Sequence, residues 1–198
     1  MIQTTLSLLI FLFPLAYSPG PGNMFFAASG ARFGFQKTLT CNLGYHIATW
    51  IVTVAIGFGF ASVLGAYPEV FGVLKYAGAL FVLRIAWALY RSGTLQGQDA
   101  AKPAGFRDGV ILLVLNPKAY VIITLMFTQF LGRSGNGQIS EVLLIATVFT
   151  LNNALAFVIW TLIGDKIAAQ FRSPASAGIL NSIFAVILAV VAIWMLVS

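Results

Sequence analysis

Apolar residues run along this chain in stretches of about 20, the length at which a helix crosses the hydrocarbon of a bilayer, with short polar connections between them. The runs predict helices over about 2–30, 39–66, 70–91, 109–131, 141–164 and 177–197. Two of them are interrupted near the middle, the first by Pro19, Gly20, Pro21, Gly22 and Asn23, the fourth by Asn116, Pro117 and Lys118. Pro removes a backbone donor and Gly loosens a helix, so each break frees carbonyls and amides that lipid cannot satisfy. Such backbone survives at membrane depth where it faces protein or lines a wet cavity. A matched pair of breaks, one in each half, points to a transporter built from two repeats with substrate held between broken helices.

Composition agrees with this pattern and excludes a soluble domain. Of 198 residues, 60% are apolar, 14% aromatic and only 8% charged, too few polar groups to clothe a water-facing surface. The single cysteine, Cys41, allows no internal disulfide and no paired-thiol chemistry; its expected role is a small buried apolar residue. No metal or cofactor motif is present, and the Gly-rich run from Gly132 to Gly137 lacks the spacing and Lys-Ser/Thr ending of a phosphate loop. No Lys or Arg precedes Arg32, whereas a secretory leader carries positive charge ahead of its apolar core. The first run is therefore read as a true span, with a leader ending near Ala31 as the alternative.

Charge orients the bundle. Arg32 and Lys37 follow the first span, Arg91, Lys102 and Arg107 the third, and Lys166 and Arg172 the fifth, while the opposite loops hold Arg133, with Lys75 just inside the third span. The positive-inside rule makes the first, third and fifth connections cytoplasmic and puts both termini on the outer face. Three spans followed by three then point in opposite senses. The expected fold is an all-α membrane protein, six transmembrane helices arranged as an inverted 3+3 repeat, helices 1 and 4 broken at their Pro motifs. It forms a single transmembrane domain over 1–198, its halves 1–92 and 106–198 joined by the polar linker 93–105. Trp87 and Trp194 in the third member of each half are a weak echo of the repeat. The net charge of +6 suits an anionic inner leaflet; it is no nucleic-acid footprint, because no basic soluble module carries it.

Residues in this order and spacing also carry a family likeness. They are Pro19, Gly20, Pro21 and Asn23, then Gly30 and Gly34; Gly44 in span two; Pro68, Phe71, Leu74, Lys75, Gly78, Ala79 and Leu83 opening span three; and Phe106, Gly109, Asn116, Pro117, Lys118, Ala119, Gln129 and Phe130 along span four. The chain resembles the lysine exporter (LysE-type) superfamily of amino-acid efflux permeases, including its homoserine and threonine exporter branch, over almost its whole length. That resemblance implies a bacterial inner-membrane carrier exporting amino acids or close relatives, driven by the proton gradient. The chain departs from the family pattern at Gly22, Ala48 and Thr49 beside His46, Arg84, Ala86 and Thr128, changes that bear on substrate rather than fold.

The residues make their own case for a site. Lys118 falls well inside span four, where a charge costs about 2.5–3.5 kcal/mol on insertion scales, so it should face the interior and have a partner. All five acids, Glu69, Asp99, Asp108, Glu141 and Asp165, lie at predicted span ends or loops. The missing central carboxylate suits that of an amino-acid substrate. Half-helix N-termini behind the breaks add amide donors, and the carbonyls freed before Pro19 and Pro117 can accept from the substrate ammonium. The competing role for Lys118 is a structural pin that bonds freed carbonyls. An exporter of lysine or arginine would want a buried carboxylate for the side-chain cation, so a neutral or weakly polar amino acid is favoured. Asn42, Asn152 and Asn153 join Asn23 and Asn116 as cavity candidates, each equally able to clamp helices together.

His46, the only histidine, is one proton-coupling candidate and Asp108, at the mouth of span four, the other; Asp108 has a helix cap as its competing role. Arg84 lies close enough to the inner loop to snorkel. Gly57, Gly59 and Gly65 leave helix faces open to a homodimer. Competing functions are a passive channel, a small-metabolite or cation permease of the same fold and, remotely, an intramembrane serine hydrolase pairing Ser29 with His46.

Overall fold

The computed structural model describes residues 2–60, 76–91 apart from 78, 81, 85, 88 and 89, 102–131, 138–170 and 174–197. The opening of the third span with Pro68, Phe71, Leu74, Lys75 and Gly78, the linker as far as residue 101, the Gly132 to Gly137 run, Gly65, Glu69, Asp99, Arg133, Arg172 and the side chain of Trp194 lie outside the described residues.

Every described element is helical: α1 (Ile2–Tyr17), α2 (Pro21–Phe33), α3 (Phe35–Ala55) running on into a π turn (Ile56–Phe60), helical residues between 76 and 91, α4 (Phe106–Val114), α5 (Pro117–Phe130), α6 (Gln138–Gln170) and α7 (Pro174–Val197). Among the described residues, Phe35–Gly59 and Gln138–Ala168 are each long and apolar enough to cross a membrane. So are the pairs α1 with α2 and α4 with α5, if each pair is taken as one span; they bend by 63° and 64° at their breaks. The α6 helix has 33 residues, about 50 Å of axis, and overruns the expected 141–164 at both ends.

Both interruptions are shorter than the motifs that announced them. Helix stops at Tyr17 and resumes at Pro21, so Gly22 and Asn23 belong to the first turn of α2; likewise Pro117 and Lys118 open α5, and Leu115 and Asn116 form the break. Pro21 and Pro117 each begin a half-helix, with Gly20 and Asn116 as the respective N-caps. The first turn is where a helix tolerates Pro, since an amide there would be unpaired in any case.

The helices are amphipathic in the sense lipid demands. On α3, Cys41, Asn42, Tyr45, His46, Thr49 and Thr53 are buried while Leu39, Leu43, Ile47, Trp50 and Ile51 face outward, so the polar stripe points into the bundle. All of α2 from Pro21 to Gly30 is buried. Gly34 joins α2 to α3 in one residue at φ 82, a conformation that glycine adopts without penalty. Asp165 Oδ2 then accepts from the Phe35 amide at 3.3 Å, capping α3 from another helix.

Two close seams hold the bundle. A Cβ at Gly30 would collide with the Thr161 carbonyl and one at Gly164 with that of Ala27, so α2 and α6 touch backbone to backbone. Gly44 against the Phe106 carbonyl and Gly109 against that of Cys41 do the same for α3 and α4. Small residues permit this approach, and dispersion then acts over the whole contact. Gly57 corrects an expectation: rather than offering a face to a second copy, it packs against Phe127 and Val142 of its own chain. Cys41 is fully buried, as expected.

Candidate functional site

The two breaks meet. A Cβ on Gly20 would lie 2.9 Å from Lys118 Nζ, and one on Gly22 3.5 Å from Asn116 Nδ2 and 2.6 Å from Phe157 Cζ. Gly20 therefore makes room for Lys118 of the second break, and Gly22 for the Phe157 ring that packs beside Asn116.

The carbonyls at the end of α1 are satisfied one by one from other elements. Asn23 Nδ2 donates to the Ala16 carbonyl at 2.9 Å, Trp160 Nε1 to that of Tyr17 at 3.2 Å, and Lys118 Nζ to that of Ser18 at 3.0 Å. Lys118 Nζ also donates to Ser18 Oγ at 3.0 Å. At the second break the Tyr120 hydroxyl donates to the Val114 carbonyl at 3.0 Å, and the Ala119 amide to that of Asn116 at 3.1 Å. The carbonyls preceding Pro19 and Pro117, expected to be open to a substrate ammonium, are thus both engaged. A membrane-buried break requires this accounting.

A small cavity lies between the breaks. Its polar lining is Asn23, Tyr45, Thr49, Asn116, Lys118 and Asn153, and its apolar walls include Leu15, Leu113, Ile122, Phe149 and Phe157. The free space is about what one water needs. Phe157 closes it from α6, its ring 4.8 Å from those of Phe26 and Tyr45 and 5.2 Å from that of His46.

Lys118 is half-buried, and among the described residues its partners are Ser18 Oγ and carbonyl rather than an acid. This is the geometry of a pin, and it also places an ammonium at the cavity wall. Asn116 is 5% exposed. Its Nδ2 donates to the Tyr45 hydroxyl at 2.9 Å, while its Oδ1 is buried with no hydrogen-bond partner. Leaving such an oxygen unmet costs about 1–3 kcal/mol.

His46 stands one side chain behind the cavity. Its Nδ1 is 2.9 Å from the Asn42 carbonyl and its Nε2 3.2 Å from Asn153 Nδ2. Neutral imidazole donating through Nδ1 and accepting at Nε2 fits both contacts. With both nitrogens engaged, His46 does not activate Ser29. Asp108 sits elsewhere: exposed in the first turn of α4, its Oδ2 accepts from the Gly105 amide at 2.8 Å, a helix cap, roughly 12 Å along the axis from Asn116.

Of the expected site residues, Asn23, Asn116, Lys118 and Asn153 converge on the cavity. Gly20 and Gly22 abut its polar side chains, Pro21 and Pro117 start the half-helices, and Pro19 is exposed. Asn42 contributes a carbonyl to His46, and Asn152 lies half-buried beside the cavity-lining Asn153 with its Nδ2 unpartnered.

A family model described as LysE type translocator matches residues 13–198. The chain belongs to that family. This LysE-type translocator is a membrane transporter, not an enzyme. It is 30% identical over 166 residues to an uncharacterized membrane protein of Pseudomonas aeruginosa, covering 78% of this chain and 76% of that one. A cysteine/O-acetylserine efflux protein of Salmonella choleraesuis is 27% identical over 161 residues, 79% of this chain and 80% of its own. A homoserine/homoserine lactone efflux protein of Salmonella typhimurium is 21% identical over 175 residues, 86% and 84%. No solved structure matches at a significant level.

The cavity and its rim hold residues that were not among the expected site residues: Ser18, Tyr45, Phe157 and Thr49, the last noted only as a departure from the family pattern. A signal for two of them existed. Asn42, Tyr45, His46, Thr49 and Thr53 recur at three- and four-residue steps in an apolar helix, a polar stripe that must face inward in lipid. Phe157 carries no such mark among the many aromatic residues.

Proposed function

We propose that this LysE-type translocator exports neutral or weakly polar amino acids or close relatives across the bacterial inner membrane, driven by the proton gradient and working by alternating access. The observation that carries the reading is the meeting of two broken helices, bent by 63° and 64°, at a polar cavity whose only charge among the described residues is Lys118. Lys118 takes the substrate carboxylate by exchanging it for Ser18. The apolar walls receive the side chain, and the absence of a carboxylate from the cavity lining argues against a second cation on the substrate. The efflux substrates named for the two Salmonella relatives, cysteine, O-acetylserine, homoserine and its lactone, are small and polar.

The near-equal bends support the inverted 3+3 arrangement of six spans, its two halves rocking about the breaks. A cavity with room for one water holds no amino acid, so this conformation is a closed one, and Phe157 and the Lys118–Ser18 contact move when substrate enters. Coupling is assigned to His46, which reaches the cavity through Asn153.

Efflux of preloaded amino acids from vesicles, with and without a pH gradient, tests the reading. Carrier-dependent efflux that responds to the gradient is expected. No carrier-dependent movement of any amino acid removes the substrate assignment, and flux indifferent to the proton gradient turns the protein into a passive channel.

A further inference from the structure

We propose that Asn116 Oδ1 is the acceptor for the substrate's α-ammonium, so that Asn116 and Lys118 together read the zwitterionic head of an amino acid. The inference rests on the amino-acid reading above. Three observations converge on this atom. Asn116 lines the cavity at the junction of the two breaks. Its Oδ1 is the one cavity-lining side-chain atom among the described residues that is buried without a partner. Its amide nitrogen is committed to the Tyr45 hydroxyl at 2.9 Å, which fixes the plane of the amide and leaves the oxygen to the ligand.

Among the backbone acceptors beside it, the Tyr17 and Ala16 carbonyls are each taken by a side chain and the Asn116 carbonyl by the Ala119 amide, while the Ser18 carbonyl is held by Lys118 and is released only when Lys118 turns to the carboxylate. Lys118 donates only, and so serves the carboxylate. Donor and acceptor stand two residues apart, on the cap and in the first turn of one half-helix, so both charged ends of the head group are held by a single rigid element. A Cβ at Gly22 would meet Asn116 Nδ2 only at ordinary contact distance, 3.5 Å, and would collide with the Phe157 ring, so Gly22 gives that ring its place at the cavity wall. The side chain of the substrate is then left to the apolar walls with Phe157 and to the remaining polar lining, Asn23, Tyr45, Thr49 and Asn153.

The test uses the detergent-purified full chain and two matched pairs of probes, L-homoserine with 4-hydroxybutyrate and L-leucine with 4-methylpentanoate. Each pair differs by the amine, and affinity is read by calorimetry. Wild type is expected to prefer at least one amino acid over its des-amino partner by about tenfold or more, the worth of a hydrogen bond to a charged group. Asn116→Ala should erase that preference, losing affinity for the amino acid by about tenfold more than for its des-amino partner. Asn116→Asp, which keeps an acceptor at the same place, should retain the preference and serves as the control for folding. Lys118→Ala should weaken both members of a pair alike. Amino-acid preference surviving in Asn116→Ala overturns the assignment of Oδ1 and leaves the amino-acid reading standing. Wild type that binds neither member of either pair, or that ignores the amine, overturns the amino-acid reading and this inference with it.

Discussion

Lys118 holds two roles that a pair of substitutions separates. As a pin it joins α5 to the end of α1 through Ser18; in the function proposed above it meets the substrate carboxylate. Lys118→Ala is expected to cut efflux about 10- to 100-fold, since a hydrogen-bonded charge is worth about 1.5–3 kcal/mol. Ser18→Ala keeps the carbonyl and removes only one of the two contacts, so its transport should stay near wild type. Vesicle efflux measured for both variants decides: normal transport by Lys118→Ala leaves the pin as the whole explanation. At His46 the corresponding substitution is Gln, which keeps hydrogen-bonding groups toward Asn42 and Asn153 and cannot titrate. Downhill efflux by His46→Gln should persist while its response to a pH gradient disappears, and a retained response moves coupling to another group. Cavity-lining residues were legible in the sequence where they broke the rules of lipid. A charge inside an apolar run and amides beside prolines stand out, and Asn23, Asn116 and Lys118 do meet at the cavity. Which partner each would choose was not legible, because Ser18 and Tyr45 approach the second break only through the packing of distant helices.

Helix packing here depends on backbone contact, and its failure should be visible in stability before function. Gly164→Ala inserts a methyl where the Ala27 carbonyl lies, and Gly109→Ala does so against Cys41. Neither neighbour is the flexible end of a side chain, so each pair of helices must separate, at about 1–3 kcal/mol by the usual cost of overpacking. Thermal unfolding in detergent should show both variants melting below wild type, whereas Gly105→Ala, whose Cβ would meet only Asp108 Oδ2, at 3.8 Å, should melt close to it. The length of the apolar runs revealed the helices that the structure describes, and the chemistry of Pro and Gly revealed the two breaks to within about two residues. Helix ends were less legible. The real stop at Tyr17 follows from which carbonyls find donors across the bundle, and α6 continues past its apolar stretch because Asp165 is held against the start of α3. Of the reciprocal glycines, Gly30, Gly44 and Gly109 stand in the family pattern and Gly164 does not, and their pairing across helices is a property of the packed chain.

For the molecule as a whole, helix register turns the charge rule into an experiment. Phe35 meets Asp165, His46 meets Asn153 and Trp50 meets Thr147, so α3 and α6 run antiparallel in close register. Arg32 and Lys37 flank the start of α3, and Lys166 follows Asp165, so all three gather at one end of the bundle. Gln138 opens α6 at the other end, about 42 Å from Lys166 along the axis. A cationic end and an apolar remainder should orient in the membrane with the cations in the cytoplasm. Lys166 and Gln138 are both exposed, and the native Cys41 is fully buried, so wild type should give little background with a thiol reagent. An impermeant maleimide added to intact cells should label Gln138→Cys and spare Lys166→Cys, and inverted vesicles should reverse the pattern. Labelling of Lys166→Cys from outside would turn the bundle over. The cavity would keep its residues, but the linker between the halves would lie outside and export would have to begin from the opposite mouth.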